Sequence, residues 1–494
     1  MLSDQVCAGL RQAFVEADYT VDAVVELIGE PAHRALGRNS TLPARTVLAD
    51  DHGVLATLTM MWLLQQPVSR ADLDQALPGL VRPLLDAGLL SAVGDQIRAV
   101  IDIRPYASDD GAGGWIVSDL SPGLDGDRSP IRPDFVLGVS SASTTLAQMS
   151  IRRPVARALD LGAGCGVQSL HLARHADTVV ATDLNPRAVE HARLTAKINN
   201  VDLDLRLGSL FEPVEGELFD LIVSNPPYVM SPPSTDSSRL VYREGSHRGD
   251  ALVEQVVRDG ARHLAPGGSC QVLGNWAHRR GQDWTERLAG WVAGTGCDAH
   301  VVQRETLDPY EYIELWLADA GLTGAPDYPR RYVEWLDYFG ALGVEAVGMG
   351  WISLHRTDRE SPRVRIEDWP YPVEQPIGPA FGRREAAVDL EAGLDDAAVL
   401  QTAWVLADDV VQESIGRPGE PDPQHIVLRQ QRGFRRAVEA DTALAGVLGA
   451  CDGDLRLDRI IAVVADLLDA DQADLRRSLL PRIRELVVDG LLSP

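Results

Sequence analysis

The sequence predicts an α/β protein whose middle is a parallel, doubly wound sheet, with mostly helical domains on either side. Three observations carry this. Between Val155 and Ser224, four apolar strands are interleaved with helical segments. A turn holding Gly162, Gly164 and Gly166 directly follows the first of those strands. Breaker-rich runs interrupt the chain at Asp109–Gly114, at Ser121 through Pro130, and from Ser361 to Pro379. They set domains at 1–130, 131–358 and 359–494, and a chain of 494 residues is long enough to give each a core. A further break, Gly416 through Pro423, falls inside the last domain.

In the first domain, Val54–Leu64 has the apolar density of a buried helix, and Ser69 is a plausible N-cap for a helix over Ala71–Ala76. A third helix, Gly79–Ala87, is closed by Gly88. Leu89-Leu90-Ser91, a turn at Gly94-Asp95 and the alternating run Ile97–Ile103 then form a β-hairpin. Three short helices followed by a hairpin is winged-helix order. The C-terminal domain repeats the signal. Ile483–Val488 is apolar at helical spacing and runs into Asp489-Gly490-Leu491-Leu492-Ser493, which parallels Asp86-Ala87-Gly88-Leu89-Leu90-Ser91. In both places glycine stands where a helix needs a left-handed C-terminal cap. Arg70, Arg82, Arg98 and Arg104 are outnumbered by Asp72, Asp74, Asp86, Asp95 and Asp102. A protein-contacting or structural module is therefore expected here, not a duplex reader.

The central domain reads in order as strand Val155–Leu161, the glycine turn, helix Val167–His175, strand Thr178–Asp183 and helix Pro186–Asn199. Asn185 is the expected N-cap of that last helix, with Pro186 at its first position. Strands Leu203–Leu207, Phe219–Ser224, Ser269–Gly274, Ala299–Arg304 and Val344–His355 complete the set. Between the last two lies an insertion, 306–342, with Tyr310, Tyr312, Trp316, Tyr332, Trp335, Tyr338 and Phe339. At helical spacing these aromatics read mainly as core, with a cleft wall as the alternative. His247 and Arg248, near Glu244, read as solvated loop charges, with Arg248 able to steer an acidic partner.

The chemistry starts at the glycine turn. Lacking side chains, Gly162, Gly164 and Gly166 let a ligand approach the backbone and the helix start beyond. Asp183, ending the next strand, can accept both hydroxyls of a ribose. This much fits a dinucleotide or S-adenosylmethionine. Asp160, two residues before the first glycine, can hold a cationic methionine portion but would repel a pyrophosphate. A second feature lies directly after strand Phe219–Ser224: Asn225-Pro226-Pro227-Tyr228. Here the sequence resembles the class I methyltransferases that alkylate planar nitrogen. Such a nitrogen has a delocalised lone pair and is a poor nucleophile. The Asn225 side-chain oxygen and the Pro226 carbonyl can accept hydrogen bonds from the target NH2 and align it with the methyl donor. Pro226 and Pro227 stiffen the loop, and Tyr228 offers a face for the planar group. No strong base or metal is needed.

Within that superfamily, residues 131–320 resemble the HemK/PrmC-like group, which methylates the glutamine amide of peptide release factors. The resemblance implies a Rossmann-like core of seven strands, here between winged-helix-like N- and C-terminal domains, with S-adenosyl-L-methionine as cofactor. Asp160, Gly162, Ala163, Gly164 and Gly166 would form its methionine side, Asp183 with Leu184 the ribose side, and Ser209 with Leu210 the adenine side. Asn225, Pro226, Pro227 and Tyr228 would hold the substrate amide. Gly249-Asp250-Ala251-Leu252 looks like the group's Gly-Asp-Gly-Leu helix start, and Leu264-Ala265-Pro266-Gly267-Gly268 like its turn before the fifth strand. Two segments depart: Gly208-Ser209 stands where the group has Gly-Asp, and Gly138–Leu146, with Ser140, Ser141, Ser143, Thr144 and Thr145, replaces its Arg-Pro-x-Thr-Glu stretch.

The resulting expectation is an N-methyltransferase acting on a protein glutamine amide. The alternatives are a nucleobase N-methyltransferase, on guanine N2 or adenine N6 of ribosomal RNA, then a small-molecule enzyme or a non-catalytic binding protein. Net charge is −26 overall and −6 across Ile131–Ala320, which disfavours a phosphate backbone as partner. Cys7, Cys165, Cys270, Cys297 and Cys451 are widely spaced, with no Cys-x-x-Cys, so neither a disulfide framework nor a zinc site is expected. Met1–Leu10 lacks the features of a signal peptide, and Val54–Leu64 is too short to span a bilayer. A soluble, cytoplasmic, metal-free protein is the expectation.

Overall fold

The computed structural model describes residues 2–126, 131–233, 248–357, 359–418 and 423–494. Residues 127–130 and 419–422, parts of the breaks noted above, and Glu244 and His247 lie outside them. The chain forms two compact units: residues 1–147 with 154–370, and residues 148–153 with 371–494.

The first unit is built on one mixed sheet. Its strands are β1 (Val155–Leu161), β2 (Ala176–Asp183), β3 (Asp204–Leu207), β4 (Phe219–Ser224), β5 (Leu264–Arg279), β6 (Cys297–Leu307), β7 (Val344–Arg356) and β8 (Val364–Asp368). They lie side by side in the order β8-β6-β7-β5-β4-β1-β2-β3. Strands β1 to β5 are parallel, and β7 runs antiparallel between β5 and β6. The chain leaves β1 towards β2 on one side and later returns to place β4 on the other. A crevice therefore opens at the carboxyl ends of β1 and β4, where open α/β sheets bind ligands.

The sequence predicts seven strands, and the sheet has eight. β8 falls in the breaker-rich stretch Ser361–Pro379 and pairs in parallel with β6. Long-range contacts hold it there: the Arg363 N–H donates to Asp298 at 2.7 Å, and His300 meets Glu367 at 2.6 Å. β5 is also longer than expected, because it stays paired with β7 from Ser269 to Arg279. Trp276 of β5 packs against Gly348 and Gly350 of β7. A Cβ on Gly350 would collide with the Val302 carbonyl and stand 3.0 Å from the Trp276 ring.

The helices that matter for the crevice are α1 (Val167–Leu172), α2 (Pro186–Asn199), α3 (Ala251–Arg262), α4 (Trp284–Val292), α5 (Pro309–Asp319) and α6 (Tyr328–Leu342). As expected, Asn185 caps α2, its side chain accepting from the Arg187 N–H at 3.0 Å. α1 stops earlier than expected, at Leu172, where the Arg174 and His175 N–H groups bond back to His171 and Leu172 and turn the chain into β2.

The N-terminal residues pack on this sheet layer. Ser69 caps helix Arg70–Ala76, with the Asp72 N–H at 3.0 Å, and Gly88 takes the left-handed conformation (φ +72°) after helix Val81–Asp86. The single strand expected at Ile97–Ile103 is instead two. Gln96–Ala99 pairs with Leu90–Val93, whereas Ile101–Ala107 pairs with Gly113–Asp119 in a separate sheet. The Val100 N–H, drawn to the Leu89 carbonyl at 2.9 Å, ends the first pairing. Phe14, Tyr19, Trp62 and Trp115 cluster at the centre of this region. The same core takes in Leu194 and Ile198 of α2. The Trp115 N–H donates to Asn199 at 2.9 Å and the Val117 N–H to Thr195 at 3.0 Å, so the N-terminal residues and α2 are one packed body.

The second unit is mostly helical, with its core between helices Thr442–Gly449, Leu457–Leu467 and Gln472–Val488. The helix expected at Ile483–Val488 is the end of a longer one, and Gly490 follows it with φ +72°, as Gly88 does in the first unit. Among the described residues no helix is long and apolar enough to cross a membrane, and no group of three or more His, Cys, Asp or Glu is placed to hold a metal ion. All five cysteines are buried and unbonded to one another.

Candidate active site

A cleft of about 380 Å³ opens where β1, β2 and β4 end. Gly162, Ala163, Gly164, Asp183, Leu184, Ser209, Leu210, Asn225, Pro226 and Pro227 all line it, so most of the residues singled out in the sequence meet in one place. Asp160, Gly166 and Tyr228 are not among its lining residues.

The glycines divide into two kinds. Gly162 (φ +79°) and Gly164 (φ +55°) hold left-handed backbone, and a Cβ on either would meet nothing within 4 Å. Their bare surface is the floor of the cleft. Gly166 (φ +81°) does a different job: a Cβ there would lie 3.2 Å from Ala192, so its absence lets the start of α1 pack on α2. The Gly162 and Ala163 N–H groups donate to the Thr182 carbonyl at 2.9 and 3.0 Å, tying the turn to β2.

Asp183 is held by backbone donors. Its carboxylate accepts from the Gly164 N–H at 2.9 Å and from the Asn185 N–H at 2.8 Å. Burial lifts it above the ordinary carboxylate range while those donors pull it back. Leu184 beside it is 59% exposed, an apolar side chain left facing the cleft. Asp160 is only 1% exposed and accepts from the Ser169 hydroxyl at 2.6 Å. Burial pushes its pKa up to about 7.

On the opposite side, the Ser224 hydroxyl donates to the Leu161 carbonyl at 2.9 Å and locks β4 to β1 one residue before Asn225. The Asn225 Oδ1 is buried and has no hydrogen-bond partner among the described residues. Tyr228 packs edge-on against Trp316 of α5, with ring centroids 6.2 Å apart, and burial pushes its phenol up to about 12. The Tyr312 hydroxyl takes the Met230 N–H at 3.0 Å and the Asn275 amide at 3.0 Å. Tyr312, Trp335 and Phe339 are therefore core, whereas Trp316 supports the loop that carries Asn225.

Several contacts, and the residues Phe135, Val136 and Gln168, escaped the sequence reading. Asp250 is buried and accepts from the Ala277 N–H at 2.7 Å, from Arg279 at 3.1 Å and from Arg287. This fixes the start of α3, whose Leu252 lines the cleft. The sequence marks Asp250 as a helix start, but no spacing rule reveals two arginines about thirty residues on. Phe135, Val136, Ser140, Ser143 and Gln168 also line the cleft. Asp119 holds that wall, accepting from the Val136 N–H at 2.8 Å and from Arg187 at 2.9 Å. Gln168 stands in the sequence directly beyond the glycine turn, but nothing local shows which groups its amide meets.

Residues 138–283 match the family described as Methyltransferase small domain. Residues 16–100 and 388–494 match two families described as Domain of unknown function, DUF7059 and DUF7782. The chain is 37% identical over 119 residues to the release factor glutamine methyltransferase of Aquifex aeolicus, a match covering 22% of this chain and 42% of that protein. It is 26% identical over 180 residues to the ribosomal RNA small subunit methyltransferase C of Salmonella arizonae, covering 36% of this chain and 45% of that one. The chain thus spans less than half the length of either relative. Among solved structures, the YcgJ protein of Bacillus subtilis aligns with a TM-score of 0.30 and 16% identity, over 44% of this chain and 99% of that one. The glycine turn, Asp183 and the Asn-Pro-Pro-Tyr loop all fall within residues 138–283, the part of the chain that matches the methyltransferase small domain family.

Proposed function

We propose that this chain is an S-adenosylmethionine-dependent N-methyltransferase whose acceptor is a planar NH2 group, the side-chain amide of a protein glutamine. The observation that carries the reading is the Asn225 Oδ1, a buried acceptor left without a partner in the same cleft as the glycine turn. A buried carbonyl of this kind calls for a donor, and an acceptor NH2 supplies one.

The walls suit the cofactor. The bare faces of Gly162 and Gly164 admit it against the backbone, the Asp183 carboxylate is oriented to receive ribose hydroxyls, and Leu184 offers an apolar face to the adenine. When bound, S-adenosylmethionine supplies a methyl group on a positively charged sulfur. The Asn225 Oδ1 and the Pro226 carbonyl accept the two N–H bonds of the target, turning its lone pair towards that methyl and favouring tetrahedral nitrogen as the N–CH3 bond forms at the expense of the methyl–sulfur bond; the methylated nitrogen then gives up one proton to water. Pro226 and Pro227 hold the carbonyl direction, and Tyr228 and Trp316 brace the loop.

A protein acceptor is supported by the acidic balance of the domain and by the likeness to a glutamine methyltransferase. A nucleobase acceptor is the second reading, favoured by the likeness to a ribosomal RNA methyltransferase over a longer stretch of this chain. The test of the shared chemistry is Asn225→Ala. Methyl transfer should fall about a hundredfold or more, as when one preorganised hydrogen bond to the reacting group is removed. Affinity for S-adenosylmethionine, measured by calorimetry, should change less than about twofold, because the residue acts on the acceptor. Wild-type turnover in the variant would rule out the nitrogen-positioning role.

A further inference from the structure

Gln168 is the second residue of α1, directly beyond the glycine turn, and it lines the cleft although only 5% exposed. Its Nε2 donates to the Ser143 carbonyl at 2.7 Å. That bond fixes the amide's orientation, since the reverse would set two carbonyl oxygens against each other. Oε1 is then a buried acceptor with no partner among the described residues. A carbonyl that has given up water without gaining a donor is disfavoured, and an apolar residue would fill the same space without that cost. Around it the wall is polar. The Ser143 N–H donates to the Ser140 hydroxyl at 3.2 Å, and the two hydroxyls stand 3.1 Å apart.

Resting on the cofactor reading above, the ligand's donors are the adenine amine, the ribose hydroxyls and the α-ammonium of its amino-acid end. Asp183 serves the ribose. Leu184, Ser209 and Leu210 belong to that same end of the cleft, where Asp183 of β2 pairs with Leu207 of β3. The wall formed by α1 and Ser140–Ser143 is left for the amino-acid end. Asp160, which the sequence suggests for the ammonium, is bonded to Ser169 and is not among the lining residues. We infer that Gln168 is a cofactor-selecting residue: its Oε1 accepts an N–H of the α-ammonium, and its bond to Ser143 holds it ready. The cleft thereby distinguishes a nucleoside that carries the amino-acid end from one that does not.

The test compares S-adenosylmethionine with 5′-methylthioadenosine, which lacks that end, by calorimetry on the full chain. Gln168→Met keeps the volume and removes both amide groups. Gln168→Glu also loses the bond to Ser143 but keeps an acceptor and adds a negative charge, so recovery in it shows that an acceptor at this position faces the ammonium. Gln168→Met should weaken S-adenosylmethionine about tenfold or more, the usual size for a hydrogen bond to a charged group, and leave 5′-methylthioadenosine within about twofold. Gln168→Glu should recover most of the lost affinity for S-adenosylmethionine. Equal weakening of both ligands, or no recovery in the glutamate variant, overturns the assignment while the cofactor reading stands. If the wild-type chain binds no S-adenosylmethionine, the cofactor reading fails and the assignment with it. Gln168→Asn, which keeps the amide but withdraws it, carries the same comparison if the methionine variant does not fold, and should weaken S-adenosylmethionine alone.

Discussion

Two carboxylates at the ends of neighbouring strands have different work because their surroundings differ. Asp183 reaches the cleft and takes two backbone donors, so Asp183→Ala should weaken S-adenosylmethionine binding about tenfold or more, and unchanged affinity in a calorimeter would remove its ribose role. Asp160 is buried, and its pKa stands near 7 instead of the ordinary 3.8. A carboxyl whose folded value is raised favours the folded state while protonated. Its contribution is full below the unfolded value and is lost as pH climbs through the folded one. Asp160→Asn, which cannot ionise, should therefore gain on the wild type in melting temperature as pH rises from about 4 to about 7. A difference independent of pH would mean that Asp160 is ionised throughout. Residue types at the site were legible because chemistry restricts them: glycine where the backbone is left-handed, Asn-Pro-Pro-Tyr where the proposed reaction needs a loop that presents two acceptors. Gln168 and the arginines around Asp250 were not, since their roles arise from contacts that no local pattern encodes.

At the scale of elements, local signals placed α2, β4 and helix Arg70–Ala76, where caps and apolar periodicity agree with the final packing. They failed where a distant strand decides. β8 is short, lies between Pro362 and Pro370, and exists through its ladder with β6. The run Ile97–Ile103 alternates as one strand but divides between two sheets, because the chain turns at Val100. Close approach of elements also yields predictions. Gly350→Ala sets a methyl against the Val302 carbonyl where β6 and β7 pair, and should cost about 1–3 kcal/mol in denaturant unfolding. Asp250→Ala leaves Arg279 and Arg287 without their shared carboxylate at the start of α3, and should cost about 3 kcal/mol. A wild-type midpoint in either variant would show that the pairing or the α3 anchor can relax.

For the whole molecule, the sequence suggested an N-terminal domain ending near residue 130. The structure joins residues 1–147 and 154–370 in one compact unit, with Leu194 and Ile198 of α2 buried in the N-terminal core. A fragment of residues 131–370 should accordingly lose the cooperative melt of the full chain, because removal of the N-terminal residues exposes that apolar face; a sharp, native-like transition would show that the sheet is self-sufficient. Net charge, a property of the entire chain, bears on the acceptor. At −26, it weighs against a phosphate backbone and so supports the proposed protein acceptor. The most direct measurement of the central claim is methyl transfer from radiolabelled S-adenosylmethionine by the purified chain into an extract of cells lacking its gene, followed by separate protease and nuclease treatment. Label removed by protease alone, and recovered as N-methylglutamine after digestion, is the predicted result. Label removed by nuclease alone, or no transfer at all, would contradict it.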